Sequence, residues 1–264
     1  METASPTIPR DHGTTAFTGK AEDYQSARPS YPADWFSALE RLGLLAAGTV
    51  VADIGAGTGL LTAGLLDHGA IVTAVEPNDA MRAACDAALG HRSGYRSVAG
   101  TAENTSLADG SIDLITAAQA FHWFQIEEAR NEFLRILKPT GQVALVWNDR
   151  IAKDPLQQQL AEIMEELGGV TRNAVLSQAN KAGVPAFFNG PCRMLECPNE
   201  QMLTREGLHG LMFSRSYMPR RDSPEGARVI AETNRVFDHF AESGQVRIRY
   251  RTITMLGRPV MAGS

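Results

Sequence analysis

Residues 50–59 read VVADIGAGTG and decide the fold. The run from Val50 to Ile54 is apolar except for Asp53, which predicts a short buried strand. Glycines stand at positions 55, 57 and 59, so the backbone after this strand can turn sharply and approach a ligand closely. Residues 59–67 are predicted to be a helix. This strand, loop and helix raise the question of which ligand the glycine loop binds.

Strands and helices alternate along the first 150 residues. The patterns predict helices at 34–45, 79–89 and 126–137, strands at 71–75, 95–99, 112–117 and 142–147, and a turn at 138–141. This alternation implies a parallel sheet with right-handed crossovers. After Asn148 the regular alternation of strand and helix ends. The patterns there predict helices at 155–167, 204–214 and 223–243, a loop at 168–191, an edge strand at 193–203 and an alternating late strand at 245–256.

Composition narrows the class of protein. The chain has 264 residues, 44% of them hydrophobic and 21% charged, which suits one large α/β domain with at most a modest insertion. A formal charge of −5 and the lack of a basic patch argue against a nucleic-acid partner. The sequence shows neither a signal peptide nor an apolar run that would span a membrane, so we expect a cytoplasmic protein without membrane association. Either a monomer or a homodimer fits.

The cysteines do not suggest a disulfide framework or a metal site. Cys85, Cys192 and Cys197 are odd in number and widely spaced. No Cys-x-x-Cys motif or histidine cluster accompanies them, so we predict no metal.

Two acids near the glycine loop bear on its ligand. The Gly-x-Gly-x-Gly spacing differs from the dinucleotide fingerprint, because Leu60 stands where the third fingerprint glycine belongs, and a Walker phosphate loop is absent. Asp53 would repel a pyrophosphate and attract a cation. Glu76, at the end of the second strand, suits a ribose diol. Together they favour a nucleoside that carries positive charge, a description that S-adenosylmethionine fits.

Several motifs extend this interpretation to a family. The segments are DIGAGTG (Asp53–Gly59), VEPN (Val75–Asn78), GTAEN (Gly100–Asn104) and LKPTGQ (Leu137–Gln142). They resemble motifs of the class I S-adenosylmethionine-dependent methyltransferases, in the branch called methyltransferase type 11. YQSARPSYP (Tyr24–Pro32) and AFHWF (Ala120–Phe124) are similar to a subgroup that includes trans-aconitate methyltransferase-like enzymes. The resemblance covers residues 20–150.

The resemblance implies a Rossmann-like α/β fold. Its seven-stranded, mostly parallel sheet would carry helices on both faces, an antiparallel late strand and a small helical lid insertion. Residues 1–45 would form an N-terminal arm that covers the cofactor, and residues 46–150 the S-adenosylmethionine-binding core. Residues 151–222 would form the substrate lid, and residues 223–264 a helix and strand that complete the core.

The resemblance also assigns cofactor-binding residues. The backbone of Gly55, Ala56 and Gly57 would lie under the cofactor, while Asp53 orders the loop or receives the ammonium through water. Glu76 would bind the ribose diol. Pro77 and Met81 would pack on the adenine, although Met81 is equally a core methionine. Ala102 and Glu103 lie where the family reads the adenine edge, and backbone amides can do this whatever the side chain.

Two further segments are expected near the cofactor. Backbone at Ala118 and Gln119, at the end of strand four, can accept the ammonium. Arg28 would pair with the methionine carboxylate, and Tyr24 would lie near the sulfonium. The alternative for Tyr24 and Arg28 is a Pro-rich strap held by ordinary packing.

Candidate substrate and catalytic residues follow the fourth strand and fill the predicted lid. We expect Phe121 or His122 to face the site, and Trp123 and Phe124 to be mostly core. Apolar lid residues, among them Phe188, Met212 and Tyr217, would wall a lipophilic molecule, whereas Arg193, Arg205 and Arg215 would instead hold a carboxylate. His122 is the candidate general base or a structural histidine, and some acceptors need no base.

Three functions are compatible with these patterns. The first is a methyltransferase that uses S-adenosylmethionine on a small-molecule acceptor, by O-, C- or N-methylation, as in natural-product tailoring. The second is a protein that binds S-adenosylmethionine without methyl transfer or for another reaction. The third is a nicotinamide oxidoreductase, against which Asp53 and Leu60 argue.

Overall fold

The computed structural model describes residues 28–168, 181–215 and 217–261, which divide between two compact units. The first, the sheet unit, contains the described residues of Ser30–Asp149, Asn180–Asn199 and Arg251–Ser264. The second, the helical unit, contains the described residues of Met1–Pro29, Arg150–Ala179 and Glu200–Tyr250. Each unit is described separately below.

Eight α-helices occur in the described ranges. They are α1 (Ala33–Arg41), α2 (Leu60–Asp67), α3 (Asp79–Leu89), α4 (Ile126–Ile136), α5 (Pro155–Leu167), α6 (Val184–Phe188), α7 (Arg205–Phe213) and α8 (Pro224–Phe240). A single 3₁₀ turn spans Phe121–Trp123. None of the described helices has the length and apolar character needed to cross a membrane.

Seven strands form one sheet. They are β1 (Val50–Ile54), β2 (Ile71–Val75), β3 (Tyr95–Val98), β4 (Ile112–Ala118), β5 (Leu137–Arg150), β6 (Cys192–Leu203) and β7 (Val246–Gly257). Their order is β3-β2-β1-β4-β5-β7-β6, with parallel pairing of β1 to β2, β2 to β3, β1 to β4 and β4 to β5. The predicted Rossmann-like fold class is confirmed.

The predicted turn at 138–141 is wrong, because these residues lie inside β5. Ile112 of β4 pairs with Leu137, and Leu114 pairs with Gln142, so the one residue between them in β4 stands opposite the four residues 138–141 of β5. The excess forms a bulge that Arg258 holds, its Nη1 donating to the carbonyls of Lys138 at 2.8 Å and Gly141 at 2.9 Å. A long-range contact therefore replaces the local turn that the Pro-Thr-Gly sequence predicts.

Helix α1 ends earlier than predicted. It stops at Arg41, four residues before the predicted end at Leu45, because Gly43 adopts a left-handed conformation with φ of +69°. The amide of Leu44 then donates to the carbonyl of Leu39, and that of Gly43 to the carbonyl of Glu40, which satisfies the last carbonyls of the helix.

Separate hydrophobic cores stabilise the two units. Two buried clusters occupy the sheet unit, and one of them contains Trp35, whose indole Nε1 donates to the Thr254 hydroxyl at 2.7 Å. The cluster of the helical unit gathers apolar side chains of α5, α7, α8 and the first residues of β7. Helix α8 lies in the helical unit. That residues 223–264 complete the core stays a prediction.

Candidate functional site

The glycine loop between β1 and α2 has a conformation that requires glycine. Gly55, Gly57 and Gly59 all have positive φ, at +69°, +58° and +85°. A Cβ on Gly55 would lie 2.6 Å from the Cβ of Ala120, and one on Gly59 would lie 2.7 Å from the Cys85 sulfur. The Gly55 amide donates to the carbonyl of Val75 at 2.8 Å. The loop thus runs between the end of β2 and the segment after β4.

Glu76 is oriented against this loop by two backbone amides. Its Oε2 accepts from the Gly57 amide and its Oε1 from the Asn78 amide, both at 2.9 Å. A carboxylate has about four acceptor positions, so each oxygen retains one. The side chain is 7% exposed, and burial raises the pKa of Glu76, while the amides of Asn78 and Gly57 oppose the rise. The carboxylate is fixed beside the loop with acceptor capacity for two hydroxyl groups.

Asp53 is buried and already bound by two hydroxyls. Its carboxylate accepts from Thr62 Oγ1 of α2 at 2.6 Å and from Thr116 Oγ1 of β4 at 2.8 Å, and the residue is 1% exposed. Burial raises the pKa of Asp53, and the Thr62 and Thr116 hydroxyls oppose this effect. These contacts fit the prediction that Asp53 orders the loop. Receipt of an ammonium through water stays a prediction.

The carboxyl end of β4 is held to β5 by an unusual residue. Gln119 follows Ala118 with φ of +56°, a conformation uncommon for residues other than glycine. Its amide donates to the carbonyl of Val146 at 2.9 Å, and its side-chain Nε2 donates to the carbonyl of Asn148 at 3.4 Å. Ala120 is the residue that approaches Gly55. The segment that contains Ala118 and Gln119 is therefore brought to the glycine loop, and acceptance of an ammonium by its backbone stays a prediction.

Asn148 forms a set of contacts that the sequence did not predict. This buried residue of β5 accepts at Oδ1 from the Thr252 hydroxyl at 2.7 Å and from Asn199 Nδ2 at 3.2 Å, and its Nδ2 donates to the Ser30 carbonyl at 3.3 Å. Asn148 thus joins four segments of the sheet unit next to the Gln119 contact. A polar residue directly after an apolar strand was the available signal.

The predicted adenine-side residues have several kinds of contact. Pro77 is half-buried, whereas Met81 is buried at the start of α3. Ala102 lies in a core of the sheet unit. Glu103 Oε1 accepts from the Gln125 amide at 2.8 Å, immediately before α4. The side chain of Glu103 therefore stabilises the start of that helix. Recognition of the adenine edge at this position would then involve the backbone of Glu103.

The aromatic run after β4 contains one core residue, Phe121, followed by three partly accessible residues. Phe121 is 2% exposed and packs edge-on against Phe187 with ring centroids 5.4 Å apart, so its ring lies in a core rather than on an accessible wall. Trp123 and Phe124, predicted to be mostly core, are only half-buried. His122 is also half-buried, and its ring centroid lies 4.6 Å from that of Trp123.

The remaining predicted substrate residues are likewise core residues. Phe188, with 0% exposure, packs against Phe187 in the sheet unit, so it does not line an accessible wall. Met212 and Tyr217 belong to the core of the helical unit, and the burial of Met212 removes it from an accessible wall as well. Large apolar side chains contribute most to stability when they are buried, and the substrate roles predicted for these residues stay predictions.

The N-terminal candidates fall partly outside the described residues. Tyr24 lies outside them, so its predicted place near a sulfonium stays a prediction. Arg28 belongs to the helical unit, where its Nη2 donates to the carbonyl of Ser214 at 3.2 Å. Its predicted pairing with a methionine carboxylate also stays a prediction.

Comparisons with known proteins identify related methyltransferases. A family model described as a methyltransferase domain matches residues 52–145, the segment that holds both acids. An uncharacterized methyltransferase-like protein of Schizosaccharomyces pombe is 31% identical over 246 residues, covering 90% of this chain and 93% of that protein. An uncharacterized methyltransferase of Mycobacterium bovis is 36% identical over 212 residues, covering 80% of this chain and 81% of that protein.

Solved structures share the fold. A type II methyltransferase of Anaeromyxobacter dehalogenans, so described in its structure, superposes with a TM-score of 0.62 at 23% identity and covers 88% of this chain and 99% of its own. An S-adenosylmethionine-dependent methyltransferase of Geobacter sulfurreducens, solved with S-adenosylhomocysteine, superposes with a TM-score of 0.51 at 15% identity and covers 96% of this chain and 99% of its own.

Proposed function

This chain belongs to the methyltransferase-domain family of class I S-adenosylmethionine-dependent methyltransferases, and we propose that it transfers a methyl group from S-adenosylmethionine to a small-molecule acceptor. Relatives that match most of their own length support the enzyme class, and the solved structures share its fold. The proposal concerns the residues that hold the donor and the class of acceptor.

The observation that carries the proposal is the orientation of Glu76. The amides of Gly57 and Asn78 fix its carboxylate beside the glycine loop, and each oxygen keeps an acceptor position. A ribose diol needs two such acceptors side by side. The close approach of Ala120 to Gly55 leaves no room for a side chain at that position, as suits a loop whose backbone passes close to a ligand.

The other donor-binding roles follow from the same geometry. Asp53 joins β1, α2 and β4 through the Thr62 and Thr116 hydroxyls and so keeps the loop in place. Backbone at Ala118 and Gln119 offers carbonyl oxygens for an ammonium. Pro77 and the backbone of Ala102 and Glu103 would border the adenine. S-adenosylmethionine, when bound, supplies a methyl group attached to a sulfonium, whose sulfur leaves as a neutral thioether.

The protein needs to provide little chemistry besides alignment. Holding an acceptor in line with the methyl group converts a bimolecular displacement into an effectively intramolecular one, which can lower the barrier by about 7–11 kcal/mol. A base is required only if the acceptor must lose a proton. His122 is our candidate, because it lies two residues after Ala120, the residue that approaches the loop, and its side chain is partly accessible.

A small molecule is the proposed acceptor class. The net charge of −5 disfavours a nucleic-acid acceptor, and AQAF after β4 differs from the Asn/Asp-Pro-Pro-aromatic motif that amide and base amino methylases place there. Within this class we propose natural-product tailoring by a trans-aconitate methyltransferase-like enzyme. YQSARPSYP and AFHWF support that finer assignment.

Calorimetry with the purified chain tests the donor. We expect S-adenosylmethionine and S-adenosylhomocysteine to bind, and NAD not to bind. Heat with NAD alone would favour an oxidoreductase and overturn the proposal.

Labelled methyl transfer tests the reaction. The chain is incubated with methyl-labelled S-adenosylmethionine and small-molecule fractions of a cell extract, and His122→Asn is run beside it. We expect a product heavier by one methylene, formed more slowly by the variant if the acceptor must lose a proton. Donor binding without transfer to any fraction would instead support a binding protein or another reaction.

A further inference from the structure

Arg82 contacts the residue on which the proposed donor site depends. It is the fourth residue of α3, and its Nη1 donates to the backbone carbonyl of Glu76 at 2.9 Å. Its Nη2 donates to the carboxylate of Asp79, the first residue of the same helix. The guanidinium group is therefore held between the start of α3 and the residue that follows β2.

Each polar group of Glu76 has a partner from the chain. The Glu76 amide donates to the carbonyl of Val98 at 3.2 Å, and the carboxylate accepts from the amides of Gly57 and Asn78. Arg82 supplies the partner of the remaining group, the carbonyl oxygen. Of these partners, Arg82 alone acts through its side chain, so a substitution can remove its contact without changing the backbone.

Arg82 is also a cation near a buried carboxylate. Burial raises the pKa of Glu76, the positive charge of Arg82 opposes that rise, and the negative charge of Asp53 in β1 adds to it. A carboxylate accepts two hydroxyl groups best when it is ionised, because protonation turns one acceptor oxygen into a donor. Loss of the cation would therefore disfavour the form of Glu76 that accepts a ribose diol.

We propose that Arg82 is a positioning residue for donor recognition, because its guanidinium holds the backbone of Glu76 where the carboxylate can accept the ribose hydroxyls. The inference rests on the proposed function, since it concerns the same site. Arg82 acts through Glu76 and need not touch the donor. The charge of Arg82 adds a second effect, which makes donor binding depend on pH in a way that a purely structural role would not.

Arg92 offers a matched control in the same unit. Like Arg82, it bonds to one backbone carbonyl and one aspartate, through Nη1 to Ala63 at 3.4 Å and through Nη2 to Asp67 at 2.8 Å. The side chain of Arg92 is 27% exposed, against 20% for that of Arg82. The two arginines thus have similar contacts, but among the described residues the partners of Arg92 do not include Glu76.

Binding of S-adenosylhomocysteine at a series of pH values tests the proposal. Calorimetry compares the full-length wild type with Arg82→Gln and Arg92→Gln between about pH 5 and pH 8. Wild-type affinity should fall as pH falls towards the raised pKa of Glu76, and in Arg82→Gln it should fall at a higher pH. We expect Arg82→Gln to bind about threefold or more weakly than wild type at the acidic end, and Arg92→Gln to stay within about twofold throughout.

Two further variants separate the charge from the rest of the side chain. Arg82→Lys keeps the cation, so the pH at which affinity falls should return towards that of the wild type. Arg82→Met keeps the apolar stem and the helix propensity but removes the charge, so it should behave as Arg82→Gln does. It keeps the test valid if Arg82→Gln folds poorly.

Three results would overturn the inference while leaving the proposed function intact. The first is a wild-type pH dependence in both Arg82→Gln and Arg82→Met. The second is an equal change in Arg82→Gln and Arg92→Gln, because that would reflect a general effect on the fold. The third is an Arg82→Lys profile that matches Arg82→Gln. A wild-type chain that binds no S-adenosylhomocysteine at any pH would instead overturn the proposed function, and the inference with it.

Discussion

The sheet unit and the helical unit differ in the partners that they provide for charged side chains. In the sheet unit, Asp53 and Glu76 are each held by two donors from the chain itself. In the helical unit, the strongest influences on Arg150 are another arginine and burial, and its sulfur contact with Met164 is not an ionic partner. The acids are therefore parts of the fold as well as of a site. Arg150, in contrast, makes no ion pair with a carboxylate in the part of the chain that the structure describes.

The largest expected effect concerns the glycine loop of the sheet unit. Gly55→Ala places a Cβ 2.6 Å from that of Ala120 and forces the alanine into a left-handed backbone conformation. Gly110→Ala also forces a left-handed alanine, but no atom lies within 4 Å of its new Cβ. We expect Gly55→Ala to lower the free energy of unfolding by about 2–4 kcal/mol and Gly110→Ala by about 1 kcal/mol. Urea unfolding measures both. Equal losses would show that the loop tolerates a side chain there.

Removing charge from Glu76 should affect binding more than folding. In Glu76→Gln the new NH₂ group faces an amide donor, either Gly57 or Asn78, and one acceptor for the diol is lost. We expect the affinity for S-adenosylhomocysteine to fall about ten- to hundredfold, as loss of a hydrogen bond to a charged group does. Calorimetry compares it with Glu127→Gln, an exposed acid of α4. A change below twofold would contradict the role of Glu76.

The pH dependence of stability tests how burial affects the Asp53 carboxylate of the sheet unit. Burial raises the pKa of Asp53 above its ordinary 3.8, so the folded state disfavours the ionised form. Its contribution to stability is full below pH 3.8 and is lost as pH rises through the folded pKa. The free energy of unfolding of the wild type, minus that of Asp53→Asn, should therefore fall as pH rises. Chemical unfolding at a series of pH values from 3.8 upward measures this slope, and a difference that rises with pH would contradict the prediction.

The smallest expected effect is a gain in the helical unit. Arg150→Gln removes a cation that Arg215 repels, so without an added anion the free energy of unfolding should rise by roughly 1 kcal/mol or less. The lost packing of the arginine stem opposes this gain. Thermal unfolding in a buffer without multivalent anions, beside Arg228→Gln at an exposed position that pairs with Glu166, measures it. A clear loss would show that Arg150 is already balanced by the chain.

Local patterns predicted the elements of the sheet unit that position the donor site. The bounds of β1, β2 and α3 agree with the prediction, because apolar runs, the Asn78 cap and the glycine loop are all local signals. The two acids were found for the same reason: each ends or nearly ends a strand of a parallel sheet. Neighbouring parallel strands bring such ends together whatever the details of packing.

What the sequence did not predict depends on tertiary contacts. The bulge at 138–141 is held by Arg258, more than a hundred residues away. Phe121 and Phe188 are buried because each packs against Phe187, and the spacing of apolar residues within one segment does not predict this contact. The influence of Arg215 on Arg150 is a similar case, because the two residues lie far apart in the sequence.

The most direct test of the account is a crystal structure of the chain with S-adenosylhomocysteine, read at Glu76. We predict that both ribose hydroxyls lie about 2.5–3.0 Å from the Glu76 carboxylate oxygens, while the amides of Gly57 and Asn78 keep their bonds to it. A ribose bound away from Glu76, or a nucleoside bound outside the glycine loop, would contradict the assignment of the donor site.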